Sequence, residues 1–62
     1  MSLIFPLDRI AAQLESQNTR DRMLALASLR EVSPEDAVPL IKKVLDDKSL
    51  QIRSMAVFAL GI

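Results

Sequence analysis

Asp47-Lys48-Ser49-Leu50-Gln51-Ile52-Arg53-Ser54-Met55-Ala56-Val57-Phe58-Ala59-Leu60-Gly61 decides the fold, because an earlier stretch, Ser16 to Arg30, repeats its plan. A shift of 31 places carries Arg22 onto Arg53, Ala25 onto Ala56 and Leu29 onto Leu60. It also sets Asn18 on Ser49, Leu24 on Met55, Leu26 on Val57, Leu14 on Leu45, Ile10 on Ile41 and Leu7 on Val38. A fixed period of this length marks stacked supersecondary units, none able to bury its apolar face alone.

The rest of the composition narrows the possibilities by exclusion. The 62 residues carry eight basic and eight acidic side chains, scattered along the chain, so no net field draws polyanions or acidic lipid surfaces. Neither nucleic acid nor a membrane is expected as a partner. Cysteine and histidine are both absent, which removes disulfides, thiol nucleophiles, imidazole bases and the common zinc-ligand sets. Lack of cysteine fits a reducing cytoplasm. Half the residues are hydrophobic, while a chain this short buries only about 60% of its unfolded surface, so part of that apolar surface is expected to face a partner. Leu3-Ile4-Phe5 is too short for a signal core and runs into Pro6. It is expected to fold back as an apolar lid, because a residue before proline avoids the α region.

Helical spacing organises the remainder. Pro6 suits a first turn, and Leu7, Ile10, Ala11 and Leu14 follow at helical intervals, which predicts a helix from Pro6 to about Gln17. Asn18 can cap a second helix from Thr19 to about Val32, with Asp21 in its positive first turn. Met23-Leu24-Ala25-Leu26-Ala27 is apolar nearly all round, as suits a helix covered on more than one side. Ser33-Pro34-Glu35-Asp36 reads as a hydroxyl cap, a proline at the first position and two carboxylates, opening a third helix that ends near Asp47. Pro39 removes one backbone bond and is expected to tighten or bend its first turn. Ser49 caps a fourth helix, and Gly61 can stop it in the left-handed conformation. The links are short enough to set neighbouring helices antiparallel. The expected fold is all-α: antiparallel helical hairpins stacked as an α-solenoid, with repeat copies at about 6–32 and 33–62.

Asp36-Ala37-Val38-Pro39-Leu40-Ile41-Lys42-Lys43-Val44-Leu45-Asp46-Asp47, then Ile52-Arg53, Ala56, Ala59, Leu60 and Gly61, resembles the HEAT repeat, in the short version typical of phycobilisome lyases and related proteins. The first copy departs from the pattern: Ser16 stands for Asp47, Arg30 for Gly61 and Asp8 for Pro39. The resemblance implies a single HEAT-like domain over residues 1–62 or the N-terminal piece of a longer solenoid. It also implies, as an alternative function, a subunit of an enzyme that attaches or removes a bilin on a phycobiliprotein.

No catalytic, cofactor or metal constellation emerges from the residues. Glu35-Asp36 is accounted for by its helix start, and Asp46-Asp47 by capping the next helix and holding Arg53. Lys42-Lys43 reads as a solvated, dipole-matched face. Small Ala25, Ala56 and Ala59 allow close helix approach, and Arg22 and Arg53 are expected to form a structural ladder with Asp47, helped by Glu15. Projection at 3.6 residues per turn gives one outer row of Arg20, Leu24, Ala27 and Glu31, and a copy of Gln51, Met55, Phe58 and Ile62. The second row is greasy, and Met and Phe are types enriched where partners dock. Either a partner covers it or further repeats do. The expected function is a protein-interaction module or scaffold, its partner a protein, most simply a second copy of itself, or a phycobiliprotein.

Overall fold

The structure, a computed structural model, describes residues 6–61. The expected Leu3–Phe5 lid and Ile62 lie outside the described residues. Four α-helices follow one another: α1 (Pro6–Gln13), α2 (Thr19–Ser28), α3 (Pro34–Lys42) and α4 (Leu50–Leu60), with a 3₁₀ turn at Leu29–Glu31 prolonging α2. All regular structure among the described residues is helical. Helix α1 packs on α2, α3 packs on α4, and α2 joins the two pairs through its contact with α4.

Helices α2, α3 and α4 each start where a side chain or carbonyl can satisfy their orphan amides. Asn18 is extended at the start of α2, and its Oδ1 accepts from the Arg20 and Asp21 amides at 2.8 and 3.4 Å. Ser49 does the same for α4, its Oγ accepting from the Ile52 amide at 3.4 Å. Ser33 departs from expectation. Its hydroxyl lies 3.3 Å from an Asp36 carboxylate oxygen and caps no amide; its carbonyl instead accepts from the Asp36 and Ala37 amides at 3.0 and 2.9 Å. With the Asp36 and Ala37 amides taken by its carbonyl, the Ser33 hydroxyl turns toward the carboxylate.

The helix ends are tighter than periodicity implies. Helix α1 stops at Gln13 rather than Gln17, and α3 at Lys42 rather than Asp47; both continue through turns bonded three residues back. Glu15 and Ser16 donate to Ala12 and Gln13 after α1, as Lys43, Val44 and Leu45 donate to Leu40, Ile41 and Lys42 after α3. Tightening was expected at the start of α3, around Pro39. The Asp36 amide does bond three residues back to the Ser33 carbonyl at 3.0 Å in that first turn, and the helix then runs through Pro39 and tightens again beyond Lys42. Gly61 closes α4 at φ 76°, in the left-handed region that favours glycine.

The core is one cluster of Leu14, Ala25, Leu26, Leu29, Ala37, Ile41, Val44, Ile52 and Ala56, drawn from both sequence copies. Ala25 and Ala56 have no exposed surface at all, as expected of residues where backbones approach closely.

Candidate functional site

Two features stand apart from ordinary packing: a buried ion pair between the copies and an apolar groove beside α4. The ion pair begins with Arg22, on the first turn of α2 and only 5% exposed. Its Nε lies 2.8 Å from Asp47 Oδ2, its Nη2 3.1 Å from Oδ1, and its Nη1 donates to the Ser16 carbonyl at 2.8 Å. This two-pronged grip suits the planar guanidinium, and every buried side-chain polar atom among the described residues has a partner.

Burial alone would push the Asp47 carboxyl up. The Ser49 amide, the hydrogen bond and charge of Arg22, and the charge of Lys48 outweigh it and hold the group below its ordinary value of 3.8. Asp47 was expected to hold both Arg22 and Arg53, with Glu15 assisting. Its carboxylate goes to Arg22 alone, and Arg53 Nη1 donates to the Asp47 backbone carbonyl at 2.7 Å. Glu15 is exposed and makes no ion pair among the described residues.

The shift of 31 places is repeated in these bonds. Arg22 reaches the carbonyl of Ser16 and Arg53 that of Asp47, each six residues back. The Asn18 amide donates to Ser16 Oγ at 3.1 Å, and the Ser49 amide to Asp47 Oδ1 at 2.8 Å.

The groove lies between α2 and α4, has a volume of about 410 Å³, and is lined by Leu26, Ala27, Arg30, Ser54, Met55, Phe58 and Ala59. It brings together three residues of the expected docking rows: Ala27, Met55 and Phe58. Leu24, Arg20, Glu31 and Gln51 are exposed but do not line it. Phe58 is 75% exposed, an unusual state for a large ring. Arg30, which the helical projection missed, sets its guanidinium carbon 6.0 Å from the Phe58 ring centroid. Arg30 sits in the 3₁₀ turn, where the 3.6-residue period no longer places side chains.

On the far flank of α4, Arg53, Ser54, Val57 and Phe58 line a shallower cleft. Val57 is 39% exposed although its counterpart Leu26, beside α4, is only 1% exposed. Exposed Leu50 at the start of α4 was likewise not singled out by the sequence. No group of three or more acidic side chains that could hold a metal ion occurs among the described residues. None of the described helices is long and apolar enough to cross a membrane. The chain matches no family model, no curated protein and no solved structure.

Proposed function

We propose that the chain is a protein-interaction module of helical repeats, an α-solenoid of antiparallel hairpins of the short HEAT type, and that its first partner is a second copy of itself. The observation that carries this reading is the bare apolar side of α4: Phe58 and Val57 stand out of a fold whose other half covers their neighbours. Met55 and Ala27 continue that side into the groove, and Arg30 gives its rim one positive charge. Covering a ring such as Phe58 contributes about 1.5 to 3 kcal/mol, enough for a weak contact to be built from a few such side chains. The reading places the chain in the cytoplasm, which its lack of cysteine suits.

Sedimentation equilibrium tests it. The weight-average mass should rise above the monomer's 6.9 kDa as concentration increases, and Phe58→Ser should lower that rise while leaving the helical circular dichroism intact. A native chain that stays monomeric up to about 1 mM would sink the reading, since weaker contacts fall below about 4 kcal/mol.

A further inference from the structure

The two ends of the repeat pair carry unmatched halves of the contact that joins its middle. At the middle, Arg22 of the first copy grips the Asp47 carboxylate of the second with Nε and Nη2 while Nη1 holds the Ser16 carbonyl. Arg53 repeats only the last of these bonds, to the Asp47 carbonyl. The rest of its fork, half-buried beside bare Val57, meets no carboxylate among the described residues.

The opposite end holds the complement. Ser16 occupies the register position of Asp47 and cannot supply a charge, but its Oγ donates to Asp21 Oδ2 at 3.0 Å, which fixes a carboxylate beside that position. Asp21 itself stands at the register position of Ile52, which is fully buried in the second copy, whereas Asp21 remains half-exposed. Leu24 on the same helix is 53% exposed, whereas its counterpart Met55 is half-buried in the groove. One end therefore presents an arginine and a bare valine, the other a carboxylate and a bare leucine.

We propose that copies of the chain stack head to tail, Arg53 of one gripping the Asp21 carboxylate of the next in the register by which Arg22 grips Asp47. This rests on the self-association proposed above and gives it a direction. The interface is heterologous, each copy using two different surfaces, so assembly does not stop at two copies unless a ring closes. An ion pair at its centre makes the association weaken with added salt.

Charge reversal separates this arrangement from any other. Arg53→Glu leaves a copy with acidic groups at both ends, and Asp21→Lys one with basic groups at both. Each variant alone should associate at least about tenfold more weakly than the native chain, by the loss of a close charge pair. Mixed in equal amounts they should recover association, because each junction again joins opposite charges. Circular dichroism checks that the variants fold; should Arg53→Glu not fold, Arg53→Gln and Leu24→Lys, tested singly for weakened association, take its place. The inference is overturned if the native mass levels off at two copies, if folded single variants associate as the native chain does, or if the folded mixture stays monomeric. Association that is lost in Phe58→Ser yet indifferent to both charge reversals overturns the head-to-tail register and leaves the self-association reading standing. A native chain that never associates removes both.

Discussion

Arg22 and Arg53 occupy the same place in the sequence pattern and differ in what breaking them should do. Arg22 is buried and grips a largely covered carboxylate through two charge-assisted hydrogen bonds, so Arg22→Ala, which strips Asp47 of its counter-charge, should cost about 3 kcal/mol. Arg53 is half-buried and holds one neutral carbonyl, so Arg53→Ala should cost only about 1 kcal/mol. Urea unfolding followed by circular dichroism checks this difference: the Arg22 variant should lose most of its native baseline, the Arg53 variant should not. Acid gives a second test at the same pair. Because the folded-state value of Asp47 lies below its ordinary 3.8, the carboxylate's contribution is full above that value and is lost as pH falls through the lower, folded-state value. Asp47→Asn should therefore be less stable at neutral pH and show a shallower fall of stability below 3.8, measured by urea midpoints across an acid series. Sequence spacing could show that Asp47 and both arginines belong together. It could not show which arginine takes the carboxylate, because Arg53 is six residues away and Arg22 25, and spacing favours the nearer one. What decides the matter is the turn: the Ser49 amide holds Oδ1, leaving the carboxylate facing α2 rather than α4.

At the scale of the helices, starts were more legible than ends. A start depends on one side chain reaching the first amides, and Asn18 and Ser49 announce themselves by residue type. An end depends on where i−4 bonding gives way to i−3, and Leu14 and Val44 look helical while the chain around them is already tightening. The caps also differ in what they hold. Asn18→Ala removes an acceptor for two amides and should cost about 1 kcal/mol. Ser33→Ala should change stability by no more than about 0.5 kcal/mol, because the carbonyl, not the hydroxyl, satisfies the first amides of α3. Urea midpoints at constant slope measure both. A large loss in Ser33→Ala would mean that the contact with Asp36 matters more than its 3.3 Å length implies.

Over the whole molecule, the 31-place shift accounts both for the core and for what it leaves uncovered. Ala25 and Ala56 are equivalent in sequence and in burial, whereas Leu26 and Val57 are equivalent in sequence only, because α4 flanks α2 and no described element flanks α4 on its far side. Periodicity reveals which residues match; it does not reveal which copy has a neighbour. That is why the greasy row of α4 was legible while Val57 was not. So small a fold has little stability to spare, and association that favours the native state must add to it. Above the dissociation constant, each tenfold rise in concentration should add about 1.4 kcal/mol, which for a domain of this size raises the melting midpoint by about 5 to 11 °C. Thermal unfolding by circular dichroism over a hundredfold range of concentration checks it. Phe58→Ser should flatten the dependence, and so should high salt, which screens Arg53 from Asp21; a midpoint that ignores concentration in the native chain would mean the bare side of α4 stays in water.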